Sequence, residues 1–295
     1  MGKRVISEEI IESYCTYLQE CERSRGTIQK YRHCLELFRE FLYGRAVGKA
    51  LVVQWKDSLK RCLSTSTVNG AIAALNGLFR YLGWKDCVTR FFKTSRRIFC
   101  SEERELERQE YERLVMEAER MGDERMAVLL QTIAATGIRV SELRYITAEA
   151  VRSGAAELDN KGRIRRILLT GGLRKLLKRY MARHDIHRGP LFITRNGNPM
   201  DRSNIWRAMK RLGAQCGVAE SKVFPHNLRH LFARTYYDQE KDLSRLADIL
   251  GHSSVNTTRI YTMESGKEHA RQLEKLNLLI TDNRMYLPLY PLASD

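Results

Sequence analysis

The apolar spacing that marks helices through the start of this chain lapses at Lys93–Glu105, where KTSRRIFCSEERE carries charge without a sustained apolar period. That lapse constrains the fold more than any other feature. A chain of 295 residues exceeds what one hydrophobic core usually serves, and the break divides it at a charged stretch of the kind that links domains. The expected organisation is a helical domain over 1–98, a linker over 99–106, a second domain over 107–280 and an irregular tail over 281–295. With 43% hydrophobic residues, 29% charged residues and five prolines, both parts have the composition of folded, helix-rich protein.

Charge narrows the partner. A formal net charge of +16 and a pI near 9.7 favour a polyanion, because each neutralised phosphate releases a condensed counterion. Double-stranded DNA leads the list, against the plainer alternative of a merely basic, solvated surface. No stretch approaches the roughly 18 apolar residues of a membrane span, and MGKRVISEEIIESY turns acidic where a signal peptide needs its apolar segment. A cytoplasmic protein without a membrane partner is expected. The seven cysteines, Cys15, Cys21, Cys34, Cys62, Cys87, Cys100 and Cys216, are scattered and never form a CxxC pair, which reads as reduced structural thiols and implies neither a metal site nor a cofactor.

In the first domain, capped periodic segments begin near Ser7, Thr27, Val47 and Ser66 and give about four helices. Ile28, Tyr31, Leu35, Phe38 and Leu42 recur at three- and four-residue steps in TIQKYRHCLELFREFLY, leaving Lys30, Arg32 and Arg39 on other faces, with Lys30 and Arg32 among the expected DNA contacts. STSTVNGAIAALNGLFRYLGW opens on hydroxyl-rich caps and continues in small residues. Its start, with Thr65, Thr67 and Asn69, suits close approach to a DNA backbone, while its Ala and Gly suit tight helix packing equally well. Lys93, Arg96 and Arg97 contact phosphates if the linker crosses a duplex, or are simply a solvated charge run.

Beyond the linker, helices are expected through Glu110–Met121 and Asp123–Thr136, ending at the turn residue Gly137. Val, Ile and Leu then cluster between Val151 and Thr170 around the turn signal AspAsnLysGly, which predicts a hairpin of two short strands with Lys161 and Gly162 at its tip. Helical patterning resumes at Leu173, LeuPheIleThr at 191–194 predicts a short strand before the turn ArgAsnGlyAsnPro, and helices run on to about Leu278. The fold class is mainly α: a helical N-terminal domain plus a mixed, mostly helical second domain with a small antiparallel sheet.

Five residues in the second domain carry chemistry together. Arg139 in TGIRVSEL follows a helix-ending glycine and is placed for an anion, with Glu142 three residues on to hold its guanidinium. His226 and Arg229 in HNLRH project from one face of a helix that Pro225 would begin. His252 in LGHSS and Tyr261 in TTRIYT follow. Each motif alone reads as well as a surface pair, a structural histidine or a packing tyrosine. In order, two arginines grip a phosphodiester, two histidines donate hydrogen bonds or protons, and a tyrosine hydroxyl attacks phosphorus.

These residues resemble the tyrosine recombinases, also called the phage integrase family, in the compact two-domain form of Xer-type recombinases and integrases of mobile elements. Arg139, the His226/Arg229 pair, His252 and Tyr261 match the family's Arg, HxxR, His or Trp, and Tyr positions in order, and Lys161 in NKGRIRR matches its hairpin lysine. The match runs strongly over about 105–265, and the N-terminal helices resemble the family's core-binding domain more loosely. The resemblance implies a site-specific recombinase or integrase in which Tyr261 forms a 3′-phosphotyrosyl intermediate, Arg139 and Arg229 stabilise phosphate charge, Lys161 protonates the leaving 5′ oxygen, and His226 and His252 assist. It implies neither ATP nor metal, and a tetramer that pairs two duplexes, each clamped between the two domains; an accessory DNA-bending or activating protein is among the partners it allows. Departures are the hairpin, where Arg163 and Arg165 crowd Lys161 in place of the common GlyLysGlyAsnLys, and the start of the chain, which leaves little room for an arm-binding domain. Arg163 and Arg165 then join the expected DNA contacts. The segment EHARQLEKLNLLI has helical spacing and docks either on its own core or on a neighbouring subunit. Alternatives are relaxation of the type IB topoisomerase kind and a catalytically silent DNA-binding regulator.

Overall fold

Three serines start helices in the first part of the chain. Ser7 caps α1 (Glu8–Glu20), Ser24 caps α2 (Arg25–Leu42) and Ser64 caps α4 (Thr65–Tyr81), each side chain accepting a first-turn N–H, whereas α3 (Lys49–Cys62) begins at Gly48 without a side-chain cap. Helix α2 starts earlier than Thr27 because Ser24 takes the cap. The computed structural model describes residues 4–93, 104–160, 163–252, 254–261 and 274–276, and the chain divides into two units, Met1–Arg96 and Arg97–Asp295. The mainly helical class with a small two-stranded sheet is the one the periodicity predicts.

The core of the first unit is aromatic at its centre. Ile28, Leu35, Phe38 and Leu42 form the buried face of α2, and the Phe38 ring meets Trp55 of α3 at 5.0 Å and Phe79 of α4 at 6.3 Å. Ala71 and Ala74 are buried in α4, so its small residues serve helix packing. Two asparagines on α4, two turns apart, bind the chain that leaves the helix. Asn76 donates Nδ2–H to the Thr89 carbonyl at 2.8 Å and accepts the Thr89 N–H at 2.9 Å; Asn69 does the same with Phe92, at 2.9 Å each way. Asn69, one of the expected DNA contacts, thus spends one amide N–H and its amide oxygen on the backbone of Phe92.

The second unit is built around α6 (Glu124–Thr136). Met126 to Leu130, with Thr132 and Ile133, are buried in unbroken or near-unbroken succession, the mark of a helix covered on all sides, and α5 (Arg108–Arg120), α8 (Gly171–Arg183) and α10 (Pro225–Glu240) pack against it. Gly137 ends α6 at φ 63°, where any Cβ would meet the Phe232 ring of α10. A 3-10 turn, Val140–Tyr145, leads to α7 (Ala148–Ser153). Strands β1 (Ala155–Asn160) and β2 (Arg163–Leu168) pair antiparallel from Ala155↔Leu168 to Asn160↔Arg163. After α8 come α9 (Arg202–Gln215), α10, α11 (Leu243–Leu250), α12 (Val255–Thr258) and a 3-10 turn over Arg259–Tyr261.

Two local expectations are corrected. Val151 belongs to α7, which Thr147 caps and Gly154 ends at φ 86°, so strand structure starts only at Ala155. Residues 191–194 make no strand. Leu191 donates to Ile146 O and Met200 donates to Phe192 O, but Pro190 and Pro199 have no N–H, and only isolated bridges form. Residues 262–273 and 277–295, which include most of the expected C-terminal docking segment, lie outside the described residues.

Replacing Asn76 by Ala strands the Thr89 N–H and C=O in a site where Asn76 itself is 1% exposed. At roughly 1–3 kcal/mol per orphaned group, about 2–6 kcal/mol is expected to be lost. Urea unfolding followed by fluorescence of Trp55 and Trp84 checks this; an unchanged midpoint would rule the clamp out as a stabilising element.

Candidate active site

Arg229 is 1% exposed and has no carboxylate within hydrogen-bond reach among the described residues. Its acceptors are helix ends. Nη1 donates to Gly137 O at 2.5 Å, just past the end of α6, and Nη2 donates to Leu250 O at 2.8 Å, the last residue of α11. Such terminal carbonyls lack helical partners and carry the negative end of the helix dipole. The remaining bonds reach Tyr261 and His252: Nε donates to the Tyr261 hydroxyl at 3.4 Å, and Nη2 donates to His252 Nε2 at 2.8 Å. Among the described residues one N–H, on Nη1, is left without an acceptor.

Because a guanidinium only donates, His252 Nε2 must accept, so the proton of this imidazole sits on Nδ1 and is given to Thr258 Oγ1 at 2.8 Å. Tyr261 is 3% exposed and its ring is enclosed by histidines. His252 stacks on it at 5.7 Å, His226 is at 6.2 Å, and His230 meets it edge-on at 4.6 Å and 85°. Helix α10 supplies His226, Arg229 and His230 from adjoining positions, with Pro225 at its first turn.

Glu142 organises the other side of the site. It is buried, and its Oε2 accepts the backbone N–H of Arg139 at 2.8 Å while Oε1 accepts Arg139 Nη1 at 2.9 Å. Arg139 precedes the 3-10 turn, and 36% of its side chain is exposed. Arg165 Nη1 also reaches Glu142 Oε2, at 3.3 Å. Strand alternation turns Arg165 inward with Ile167, whereas Arg166 and Leu168 face solvent. Gly251, at φ 63°, leaves the space that the Arg165 side chain fills. Arg165, expected at the DNA surface, is thus interior, with Nε and Nη2 buried and unpartnered. Arg139 and Arg165 share one carboxylate and Arg229 has none, which leaves two positive charges for an anion to match.

Other expected residues lie elsewhere. Lys161, Arg96 and Arg97, and the side chain of Arg163, lie outside the described residues. Arg32 is paired with Glu12, Thr67 bonds the capping hydroxyl of Ser64 at 2.8 Å, Thr65 is half-buried, Lys93 is exposed, and exposed Lys30 has its Nζ beside Gly70. Two features escaped sequence reasoning. Glu105, His230 and Arg234 form a polar cluster beside Tyr261, signalled only by the second histidine of HNLRH. A cleft of about 590 Å³ is lined by Arg125, Arg195, Trp206, Arg207, Lys210 and Arg211, signalled by the three- and four-residue basic spacing on α9. Among the described residues no cluster of His, Cys, Asp and Glu is arranged to hold a metal ion.

Electrostatics keep both imidazoles neutral. Burial, then the charges of Arg229, Arg139 and Arg165, pushes His252 down to about 4. Burial, then His230, Arg229, Arg139 and Arg202, does the same for His226, to about 4, although one side of that residue stays exposed. Burial draws Arg165 down to about 10 against the pull of Glu142. For His252 the unfolded chain holds the extra proton between its ordinary value of 6.5 and about 4, so folding stability falls as pH drops through that window. A His252→Asn variant is expected to lose less of its thermal midpoint than the parent between pH 6.5 and 4.5; parallel curves would contradict the assignment.

Residues 104–268 match the model of the phage integrase family, and residues 11–86 match the phage integrase N-terminal SAM-like domain. The chain is 29% identical over 293 residues to tyrosine recombinase XerA of Pyrococcus furiosus, covering 95% of this chain and 98% of the relative. It is 31% identical over 283 residues to tyrosine recombinase XerC of Roseiflexus castenholzii, covering 86% and 88%. Its fold is similar to that of a lambda integrase tetramer bound to a Holliday junction, with a TM-score of 0.70 at 16% identity over 86% of this chain and 76% of that one. By these matches, which run through both units, the chain belongs to the phage integrase family.

Proposed function

We infer that the protein is a tyrosine-type site-specific DNA recombinase that cuts and rejoins strands through a covalent phosphotyrosine. The observation that carries this reading is the bond from Arg229 Nε to the Tyr261 hydroxyl inside a site with an excess of two positive charges. A nucleophile and a group that neutralises phosphate are within one hydrogen bond of each other on one chain. The named relatives are tyrosine recombinases.

In this reading the Tyr261 oxygen attacks the scissile phosphorus, the bond from phosphorus to the 5′ oxygen breaks, and the phosphate stays on Tyr261 as a 3′ diester. Arg139 and the unfilled N–H of Arg229 take the nonbridging oxygens, whose charge grows in the transition state. Glu142 holds Arg139 in place for that contact. His226, neutral and still open on one side, accepts the tyrosine proton once the arriving phosphate offsets the arginines that depress it. His252 keeps Arg229 oriented through Nε2. Lys161 gives its proton to the leaving 5′ oxygen, a task for which neighbouring arginines are too weakly acidic. Religation reverses these steps with a 5′ hydroxyl from the partner duplex.

The basic charge and the lambda integrase tetramer on a Holliday junction support DNA binding with self-association, here as a tetramer that pairs two sites. A DNA substrate and free thiols such as Cys21 and Cys62 suit a cytoplasmic setting.

Incubation with a nicked suicide duplex carrying the recombination site, sought first in DNA flanking the gene, is expected to shift the protein by covalent DNA. Tyr261→Phe should abolish the band, and Arg229→Lys should slow its formation by about 10²–10³-fold; an adduct that survives Tyr261→Phe would refute the reading. Lys161→Ala should cut slowly on ordinary DNA and recover most of the rate when the leaving 5′ oxygen is replaced by sulfur, which needs no proton. Equal defects on both substrates would remove Lys161 from the acid role.

A further inference from the structure

Glu105, His230 and Arg234 form a polar cluster that the phosphate chemistry above leaves unused. The chain enters the second unit along α10 and is stapled to it. Asn227 donates Nδ2–H to Arg104 O at 2.7 Å, and Arg234 donates Nη2–H to Leu106 O at 2.7 Å while its Nη1 pairs with Glu105 Oε2 at 2.7 Å. Leu106 is fully buried, which anchors the segment further. Glu105 Oε1 lies 3.8 Å from His230 Nδ1, and the two side chains are 12% and 19% exposed.

His230 has three neighbours of consequence. Besides Glu105, its ring meets His226 at 4.8 Å and Tyr261 at 4.6 Å, both in edge-to-face geometry. Such contacts set the positive edge of one ring against the negative face of the other and fix their mutual tilt. Nδ1 of His230 is shut away from solvent without a hydrogen-bond partner, a state that favours any shift bringing an acceptor closer. The acceptor at hand is Glu105, about 0.6 Å beyond the usual hydrogen-bond range. A carboxylate that takes the Nδ1 proton selects one flip of the imidazole and holds it, as a carboxylate does behind many working histidines.

We propose that Glu105 and His230 are a positioning pair for Tyr261, the carboxylate setting the imidazole and the imidazole setting the tyrosine ring for attack. The pair rests on the reading of Tyr261 as nucleophile, and neither member touches the phosphate. Because Glu105 sits at the start of this unit, beside Arg104 and Leu106 that α10 holds, a displacement of residues 104–106 of under an ångström engages or releases the pair.

The test compares full-length parent, Glu105→Gln, His230→Phe and the double variant in single-turnover formation of the Tyr261 adduct on the suicide duplex, with DNA affinity and thermal midpoint measured in parallel. Glu105→Gln keeps the shape of the side chain and His230→Phe keeps a ring. Each single variant is expected to bind DNA within about twofold of the parent and to cleave roughly ten- to a hundredfold more slowly, and the double variant should be no slower than His230→Phe, since Glu105 acts through that ring. Parental cleavage by Glu105→Gln, or losses that multiply in the double variant, would overturn the pair while leaving Tyr261 as nucleophile. No adduct from the parent protein would sink the nucleophile reading itself and the pair with it.

Discussion

The buried guanidinium of Arg229 is the constraint on which the second unit depends. An unpaired charge removed from water costs many kcal/mol unless dipoles or counter-charges replace the solvent. Here the replacement is mainly backbone: the carbonyls of Gly137 and Leu250, at the C-terminal ends of α6 and α11. Two helices must therefore end at one point, and each does so at a glycine in the left-handed region, Gly137 and Gly251. The turn after α6 then carries Arg139, and the turn after α11 carries His252. Solvating one arginine in this way assembles three of the functional positions.

The charge excess has a consistent purpose. Glu142 is shared between Arg139 and Arg165, and Arg229 relies on carbonyl dipoles, so the site holds more positive charge than it neutralises. Burial and that charge keep His226 and His252 unprotonated near neutral pH. A phosphodiester brings one negative charge and its pentacoordinate transition state a second, which suits the site better in the transition state than in the ground state. The cost of maintaining such a site falls on the surrounding core, above all on α6, whose buried run holds the frame against which α10 and α8 are set.

Local signals made much of this readable in advance. The ordered motifs around Arg139, His226, Arg229, His252 and Tyr261 could be set beside one another because each lies in a distinctive short context, and Ser7 and Pro225 marked helix starts through bonds and backbone angles that span only a turn. The clustering of Val, Ile and Leu around AspAsnLysGly was visible for the same reason, since a hairpin pairs near neighbours. Where the reading slipped, a competing local effect had been overlooked: Ser24 in place of Thr27 at a cap, Thr147 and Gly154 bounding a short helix over Val151, and two prolines that stop residues 191–194 from forming a ladder.

By itself the sequence determined the mainly helical class, the small hairpin and the ordered set of residues proposed here to handle a phosphate, because capping, periodicity and motif order act within a few positions of the chain. Only the tertiary structure decided what those residues face. Asn69 binds the backbone of Phe92, Arg165 lies against Glu142 and the space over Gly251, and Glu105 rests beside His230. Each of these depends on partners well beyond one helical turn, as do the Arg229–Gly137 and Asn227–Arg104 bonds, which span 92 and 123 positions. No local propensity encodes such a pairing; it arises when the cores close and every buried charge and amide must find an acceptor or a donor.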